Sequence, residues 1–302
     1  MEINKVYCMD NLELMKQIDD NSIDLIYCDI LYGTGKRFKD YQDLNPQRGI
    51  IEDFYRPRIK EMHRILKKTG SIYLQMDYRI SHWVRCIMDD MFGHGNFRNK
   101  IVWKYGLGNA RTETNYLDKH DEILYYSKSD KFTWHLQRGE VTPQMKAKYC
   151  HWDVEMQNYY MMSKGKRYYL KGGKKLENVW EDIPNMASTS KERVGYNTQK
   201  PKKLLERIIK ASSNKGDIVA DFFCGSGTTG VVAKELCRNY IMCDVNPKAV
   251  EISEMRLEEI EKLENIENRT KKEEIRLFDR KNKLKDLRRE QAFIRNKTGE
   301  EK

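Results

Sequence analysis

The segment from Asp217 to Gly230 constrains the fold of this chain more than any other stretch. It reads Asp-Ile-Val-Ala-Asp-Phe-Phe-Cys-Gly-Ser-Gly-Thr-Thr-Gly, an apolar strand pattern that runs into glycines at positions 225, 227 and 230. Glycine lets the backbone turn tightly and lets a ligand approach it closely. The apolar positions that follow predict a helix over residues 228–236. We therefore expect a strand, a tight turn and a helix, the unit from which parallel sheets that bind nucleotide-like ligands are built.

Strand and helix patterns alternate on both sides of this segment. Strands are predicted at residues 4–8, 22–28, 71–76, 99–105, 122–126 and 239–243, and helices at 11–17, 53–68, 81–92, 202–212 and from 247. Thr69-Gly70 is expected to stop the second of these helices. This alternation predicts an α/β fold with a mostly parallel, Rossmann-like sheet and helices on both of its faces.

Two carboxylates flank the glycine turn. Asp221 ends the strand before the turn, and Asp244 ends the next predicted strand. A carboxylate at the first position repels a pyrophosphate but attracts a cationic ammonium or sulfonium group. A carboxylate at the second position can accept hydrogen bonds from both hydroxyls of a ribose. A site for a nicotinamide dinucleotide would explain the glycines but not Asp221. A purely structural turn that binds no ligand would explain neither Asp221 nor Asp244.

Another polar strand end lies near the N-terminus. The buried pattern of residues 22–28 is followed by Asp29-Ile30-Leu31-Tyr32. The carboxyl ends of parallel strands are where α/β enzymes bind their ligands. An amine whose lone pair is delocalised into an aromatic ring is a poor nucleophile. The Asp29 carboxylate and the Ile30 carbonyl can accept the two protons of such an amine and localise that pair, and Tyr32 can stack on its ring.

The middle of the chain is strongly basic. Of the net charge of +10, a net of +8 lies between residues 97 and 175, which hold 16 Lys and Arg against 8 Asp and Glu. Tyrosines at 159, 160, 168 and 169 are interleaved with these charges. Basic charge mixed with aromatic residues is typical of a surface that binds nucleic acid, although a solvated basic face has the same composition.

Together these motifs resemble those of the S-adenosylmethionine-dependent DNA amino-methyltransferases, which act on N6 of adenine or N4 of cytosine. Asp-x-Phe-x-Gly-Ser-Gly-Thr-Thr, starting at Asp221, resembles their cofactor motif, and Thr-Gln-Lys-Pro at 198–201 resembles the tetrapeptide that precedes it. The resemblance implies that Asp221 holds the methionine ammonium of the cofactor and Asp244 its ribose. It extends the predicted cofactor site to Phe223, Gly225, Gly227, Thr228, Thr198, Lys200 and Asp10.

The tetrapeptide Asp29-Ile30-Leu31-Tyr32 resembles the family's Asp-Pro-Pro-Tyr motif, with both prolines replaced. The acceptor carbonyl of residue 30 is kept, because every residue has one. What is lost is the stiffness that proline gives the backbone. The resemblance implies catalytic roles for Asp29, Ile30 and Tyr32. Asp at the first position favours adenine in this family, whereas Ser there is found mostly in cytosine-specific enzymes.

The order of the motifs, with the catalytic strand before the cofactor strand, resembles the family's beta arrangement, in which a target-recognition region lies between them. We therefore predict a catalytic half (1–127), an irregular inserted target-recognition region (128–190), a cofactor-binding half (191–255) and a charged helical tail (256–302). Candidates for DNA contacts are Lys36, Arg138, Lys164, Lys166, Arg167 and Lys171.

The leading prediction is a site-specific adenine-N6 methyltransferase that acts on an extruded base of duplex DNA, with S-adenosylmethionine as cofactor. The alternatives are a cytosine-N4 enzyme of the same family, methyl transfer to RNA, a nicotinamide-dependent oxidoreductase, and a DNA-binding homologue that has lost catalysis. The resemblance also implies a monomer or a homodimer, and it allows a restriction endonuclease or another modification-system subunit as partner.

Other classes of protein are not indicated. No apolar run approaches the ~20 residues needed to span a bilayer, and no basic-then-apolar leader starts the chain, so we expect a cytoplasmic protein without membrane segments. The seven cysteines are scattered and include no Cys-x-x-Cys pair, which argues against a disulfide framework and against a metal site.

Overall fold

The structure is a computed structural model, and it describes residues 1–37, 42–106, 114, 116–187, 189–196 and 198–263. The chain divides into two compact units, Met1–Glu254 and Met255–Lys302. The described part of the second unit, residues 255–263, is helical. The rest of the predicted charged tail lies outside the described residues. Within the described ranges, no helix is both long and apolar enough to cross a membrane.

Strands and helices alternate along most of the first unit. The strands are β1 (Lys5–Cys8), β2 (Ile23–Asp29), β3 (Leu66–Met76), β4 (Phe97–Lys104), β5 (His120–Ser127), β6 (His151–Asp153), β7 (Asn158–Ser163), β8 (Lys166–Tyr169), β9 (Val179–Trp180), β10 (Ile218–Asp221) and β11 (Asn239–Asp244). The α-helices are α1 (Asn11–Met15), α2 (Arg48–Ile65), α3 (Tyr78–Phe92), α4 (Pro143–Lys148), α5 (Lys202–Ser212) and α6 (Thr228–Glu235). Residues 94–96 form a 3₁₀ turn, and residues 247–254 are also helical.

Eight of these strands form one sheet, in the order β1-β11-β10-β2-β3-β5-β4-β9. Neighbouring strands in it are parallel except at β5, which is antiparallel to both β3 and β4. The mostly parallel α/β sheet predicted from the sequence is therefore confirmed. The pairing of β2 with β10, in which Leu25 lies opposite Val219, joins the early and late parts of the chain.

Helices cover both faces of the sheet, as the side chains along β3 illustrate. Ile72, Leu74 and Met76 point to the same face, and they belong to a core cluster that includes residues of α1, α2 and α3. Tyr73 points the other way, and its hydroxyl lies 2.7 Å from the hydroxyl of Ser212 at the end of α5. Both faces are thus shielded from water, which explains why the strands are apolar throughout rather than alternating.

One predicted boundary is wrong. The sequence predicts that Gly70 stops a helix that ends near residue 68, but α2 ends at Ile65 and Gly70 lies inside β3. A Cβ at Gly70 would lie 2.7 Å from Cδ1 of Leu66 and 2.8 Å from the carbonyl oxygen of Asp24. This glycine therefore allows β2 and β3 to approach each other closely, and it does not end a helix.

The segment predicted as an irregular insert, residues 128–190, is more regular than expected in its described part. It contains α4 and a separate antiparallel sheet of β6, β7 and β8. Its last strand, β9, joins the main sheet beside β4. Large side chains of the small sheet are exposed, Trp152 to 52% and Tyr159 to 48%. Such short strands lack the alternation of buried and exposed apolar residues by which strands are recognised in a sequence.

Candidate active site

Three strand ends meet at one edge of the main sheet. Asp29, Asp221 and Asp244 end β2, β10 and β11, which are adjacent in the sheet. Because these strands are parallel, their carboxyl ends lie at the same edge. A cavity of about 780 Å³ opens there, and it is lined by both Asp29 and Gly225. The catalytic strand end and the glycine turn, far apart in the sequence, thus border one cavity.

Most of the site residues predicted from the sequence line this cavity. The predicted catalytic residues that line it are Asp29, Ile30 and Tyr32. The predicted cofactor residues that line it are Asp10, Thr198, Lys200, Asp221, Phe223, Gly225, Thr228 and Asp244. Gly227 does not line the cavity, and the need for glycine at this position comes from packing against Ser253.

The glycine turn uses two backbone conformations that favour glycine. φ is +50° at Gly225 and +73° at Gly227. The N–H of Gly227 donates to the carbonyl oxygen of Cys224 at 2.8 Å and closes the turn. A Cβ on Gly227 would lie 2.5 Å from Oγ of Ser253 and 3.0 Å from its Cα. Gly227 therefore lets the turn pack against the helical residues 247–254.

Gly227→Ala is expected to lower the free energy of unfolding by about 2–5 kcal/mol, because left-handed strain adds to the overlap with Ser253. Gly216→Ala is the matched control, since φ there is +85° and no atom lies within 4 Å of the added Cβ. The control is expected to lose only about 1–2 kcal/mol. Urea unfolding of both variants measures the difference, and equal losses would show that the approach to Ser253 is unimportant.

Asp221 is a deeply buried acid at the end of β10, with 2% of its surface exposed. Its carboxylate accepts the hydroxyl of Thr229 and, at 3.0 Å, the N–H of Phe223. Burial, together with the charges of Asp29 and Asp244, raises the pKa of Asp221 to about 7 against the effect of these two donors. Asp221 therefore takes up a proton near neutral pH unless a cation is bound beside it.

Asp244 holds the glycine turn from the neighbouring strand. One of its oxygens accepts the N–H of Gly225 and the other accepts the N–H of Asn246, each at 2.9 Å. Burial raises the pKa of Asp244 above its usual value. A carboxylate has about four acceptor positions, so it can still accept further hydrogen bonds from a ligand.

Asp10 has a structural role as well as a place in the cavity wall. It caps α1 by accepting the N–H of Leu12 at 2.8 Å, and it accepts the guanidinium of Arg58 at 3.0 Å. That guanidinium lies 3.7 Å from the ring centroid of Phe54. Arg58 and Phe54 also line the cavity, and the sequence analysis missed both because they lie on a helix with no motif of its own.

Asp29 has two side-chain partners. The hydroxyl of Tyr32 lies 2.8 Å from its Oδ1, within hydrogen-bond distance, and the ammonium of Lys200 donates to its Oδ2. This ammonium also lies 5.3 Å from the ring centroid of Tyr32. Burial raises the pKa of Asp29, and the charge of Lys200 opposes part of that effect. Lys200, predicted as a cofactor residue, thus contacts the predicted catalytic acid.

The loop that carries Lys200 is fixed by Gln199. Its side chain is buried, accepts the N–H of Val194 at 2.9 Å and donates to the carbonyl oxygen of Glu192 at 2.6 Å. Side chains on either side of it, Thr198 and Lys200, line the cavity. One residue of the Thr-Gln-Lys-Pro motif therefore anchors the loop, and its neighbours border the site.

Other contacts hold the backbone at the two positions where the family has proline. The N–H of Ile30 donates to the carbonyl oxygen of Gln75 at 3.0 Å, a bond that proline lacks. The carbonyl oxygen of Leu31 accepts the hydroxyl of Tyr55 at 2.8 Å. Hydrogen bonds to β3 and α2 thus restrain this segment without the two prolines.

A buried acid that the sequence analysis missed restrains the loop after Tyr32. Asp43 is 3% exposed and accepts the N–H of Gly33 at 3.1 Å and the N–H of Thr34 at 2.7 Å. The Thr34 hydroxyl donates to the same carboxylate at 2.5 Å. No sequence motif marks Asp43, because its partners are mainly backbone groups.

The predicted DNA-contact residues fall into two groups. The first group is exposed: Lys36, Lys164, Lys166 and Lys171. Members of the second group have partners within the inserted region. Arg167 donates to the carboxylate of Asp153 at 2.8 Å, and Arg138 donates to the carbonyl oxygen of Gly173 at 3.1 Å. These two arginines support the module itself, but 56% of the Arg167 side chain is exposed, so Arg167 stays a candidate for DNA contact together with the exposed lysines.

Among the described residues, no group of three or more His, Cys, Asp or Glu side chains is arranged to hold a metal ion. The acids at the sheet edge are hydrogen-bonded to backbone, hydroxyl and ammonium donors. Their arrangement suits an organic cation and a ribose better than a metal ion.

Comparison with known proteins identifies the class. Residues 23–255 match the model of the N6_N4_Mtase family, which is described as DNA methylase. The chain therefore belongs to this family of DNA amino-methyltransferases. The resemblance drawn from the sequence motifs is confirmed, and with it S-adenosylmethionine as the cofactor.

Individual relatives agree with this assignment. The chain is 34% identical over 271 residues to Type II methyltransferase M.HpaI of Haemophilus parainfluenzae, which covers 89% of this chain and 79% of that protein. It is 31% identical over 250 residues to DNA adenine methyltransferase YhdJ of Escherichia coli strain K12, covering 82% and 81%. The solved structure of PvuII DNA methyltransferase (cytosine-N4-specific) matches with a TM-score of 0.59 at 19% identity, covering 84% of this chain and 90% of that one. This last likeness shows a shared fold.

Proposed function

We propose that this protein transfers the methyl group of S-adenosylmethionine to N6 of adenine at a specific site in duplex DNA, after the base has left the helix. The observation that supports this most is that Asp29 and Asp221, on adjacent parallel strands, border one cavity of about 780 Å³. That volume is within the usual range of small-molecule sites. In this proposal Asp29 binds the target amine and Asp221 binds the cofactor.

Asp221 fits the methionine ammonium of the cofactor. A buried carboxylate with a pKa raised to about 7 gains from a cationic partner, because charges attract strongly where water is excluded. Asp244 would accept the ribose hydroxyls with its remaining acceptor positions. When bound, the cofactor supplies a sulfonium methyl group as the electrophile.

Asp29 and the carbonyl oxygen of Ile30 would grip the two protons of the target amine. These acceptors localise the nitrogen lone pair, and Tyr32 offers a ring on which the extruded base can stack. As the new N–C bond forms, the bond between the methyl group and the sulfonium sulfur would break and leave a neutral thioether. Positive charge passes to the nitrogen, and Asp29 would accept the proton that the nitrogen then releases. The rate depends on positioning and on the negative charge beside the amine.

Lys200 occupies the position that this proposal gives to the target amine. Its ammonium donates to Asp29 and lies 5.3 Å from the ring centroid of Tyr32. Entry of a base would replace this donor on Asp29 with the amine. The buried Asp29 carboxylate would then accept a hydrogen bond from Lys200 in the absence of DNA and from the target amine in its presence. Its charge is therefore not left unpaired in either state, which would be strongly destabilising.

Adenine is preferred to cytosine because the motif at the end of β2 begins with Asp29, and members of this family with Asp there are mostly adenine-specific. The name of one relative, an adenine methyltransferase, is in line with this choice. The second candidate is cytosine N4, and it is favoured by the cytosine-N4-specific enzyme whose structure shares the fold.

The deciding experiment is to incubate the protein with labelled S-adenosylmethionine and duplex DNA of random sequence, and then to identify the methylated nucleoside. N6-methyl-2′-deoxyadenosine supports the proposal and N4-methyl-2′-deoxycytidine supports the second candidate. Cofactor binding without transfer to any DNA would mean a catalytically silent DNA-binding protein.

We also propose residues 128–190 as the segment that contacts the DNA target. Lys166→Ala, an exposed lysine at the start of β8, is expected to reduce the salt dependence of DNA binding by about 0.9 in the slope of log affinity against log salt, because one phosphate contact is lost. Lys215→Ala is the control, since Lys215 is also exposed but lies before β10, at the sheet edge opposite the cavity. DNA binding measured at several salt concentrations tests this, and equal slopes for both variants would contradict it.

A further inference from the structure

The direction of β5 brings another buried acid to the candidate site. β5 is antiparallel to β3, so its first residues lie beside the carboxyl end of β3, with Glu122 opposite Met76. Asp121, one residue earlier, is 3% exposed and lines the same cavity as Asp29. An acid at the start of a strand therefore reaches the edge where the parallel strands end.

Three donors converge on Asp121. Its Oδ1 accepts the hydroxyl of Tyr105 at 2.7 Å. Its Oδ2 accepts the side-chain amide of Gln75 at 2.7 Å and the hydroxyl of Tyr32 at 2.6 Å. The orientation of the Gln75 side-chain amide is fixed by Tyr27, whose hydroxyl donates to the amide oxygen at 2.7 Å. With that oxygen used, the amide nitrogen must face Asp121, so this carboxylate is held as an acceptor.

The hydroxyl of Tyr32 has only one proton but lies within hydrogen-bond distance of two carboxylates. It is 2.6 Å from Asp121 and 2.8 Å from Asp29. A proton donated to Asp121 leaves Oδ1 of Asp29 with its lone pairs available for another donor. A proton donated to Asp29 would weaken Asp29 as an acceptor for an amine.

We propose that Asp121 is a positioning residue for methyl transfer, which acts through Tyr32. By accepting the Tyr32 hydroxyl it fixes the orientation of the ring and keeps Asp29 free to accept the target amine. This inference rests on the proposed function, because it assumes that an amine binds to Asp29.

A double-mutant cycle tests this role. Asp121→Asn keeps the size of the side chain and one acceptor oxygen but removes the charge, and it is expected to slow single-turnover methyl transfer by about 10- to 100-fold. Tyr32→Phe keeps the ring but removes the link between the two acids. In the Tyr32→Phe background, Asp121→Asn is expected to slow the reaction by less than about threefold. The hydroxyl through which Asp121 affects Asp29 is already absent from that background.

A purely structural role would not give this pattern. If Asp121 only stabilised the fold, Asp121→Asn would slow the reaction by the same factor in both backgrounds, and that result would overturn the proposal. A rate within twofold of the wild type in the single variant would overturn it as well. Should Asp121→Asn not fold, Tyr32→Phe is compared with Tyr105→Phe, which removes a similar hydrogen bond from the other oxygen of Asp121. The proposal requires the larger loss in Tyr32→Phe, and equal losses would contradict it.

The failure of this inference is distinguishable from failure of the proposed function. Cofactor affinity and a thermal melt are measured for each variant to show that the site is intact. If the wild type methylates no DNA, the proposed function fails and the role of Asp121 fails with it. If the wild type is active, Asp29→Ala is inactive and the cycle is additive, only the role of Asp121 is wrong.

Discussion

Asp29→Ala is expected to slow methyl transfer by at least ~10³-fold while leaving cofactor affinity within about threefold of the wild type. The substitution removes the acceptor for the target amine and leaves Asp221 and Asp244 in place on their own strands. Single-turnover transfer from labelled S-adenosylmethionine gives the rate, and equilibrium binding gives the affinity.

Asp29→Asn is the matched control for this variant. Asparagine keeps the shape and one acceptor oxygen but not the charge, so it is expected to retain more activity than alanine, with a loss of about 10²-fold. Equal activity of the alanine variant and the wild type would remove Asp29 from the mechanism. A large loss of cofactor affinity in a well-folded Asp29→Ala would show that the cofactor, and not the target base, lies against this acid.

Asp221→Asn is expected to weaken cofactor binding at pH 8 by about 10²–10³-fold, because the ammonium would lose a buried carboxylate partner. The same substitution should stabilise the cofactor-free protein at that pH. The pKa of Asp221 is raised to about 7 in the folded protein, so ionisation of this carboxyl lowers the free energy of unfolding. The loss grows as the pH rises from the pKa of Asp221 in the unfolded chain toward 7. Asparagine avoids the cost, and the gain at pH 8 is expected to be a few kcal/mol.

Comparison of two pH values provides the control. At pH 5 the Asp221 carboxyl is mostly protonated in the folded protein but already ionised in the unfolded chain, so the gain in stability should be only about a third of that at pH 8. Thermal melts at both pH values measure the stability, and calorimetric titration measures the affinity. A stability gain that does not depend on pH, or unchanged affinity at pH 8, would show that Asp221 does not pair with the cofactor.

The parts of the site that could be predicted from the sequence are those marked by a pattern in neighbouring residues. Asp29, Asp221 and Asp244 each follow an apolar run that is long enough to be recognised as a strand. The parallel sheet then brings such strand ends to one edge, so their proximity follows from the fold class alone. The glycine turn was recognisable for the same reason, although the packing of Gly227 on Ser253 requires the tertiary structure.

The parts that the sequence did not predict depend on contacts between distant elements. Asp121 lies at the start of β5, and its importance follows from the antiparallel direction of that strand, which no local pattern reveals. Asp43 binds backbone groups of a loop, and Arg58 reaches Asp10 from α2. Lys200 was found through its motif, but its contact with Asp29 requires α5 to lie beside the end of β2. Similarly, the small sheet β6-β7-β8 has too few buried residues to mark its strands.

The neighbouring position of β2 and β10 in the sheet has a consequence for the newly made protein. Asp29 leaves the ribosome early, whereas the strands ending at Asp221 and Asp244 are among the last parts of the first unit to be synthesised. Pairings between such distant segments form late in folding, because a long loop must close first. The cavity lined by Asp29, Asp221 and Asp244 can therefore be complete only after both late strands have been synthesised and β10 has paired with β2.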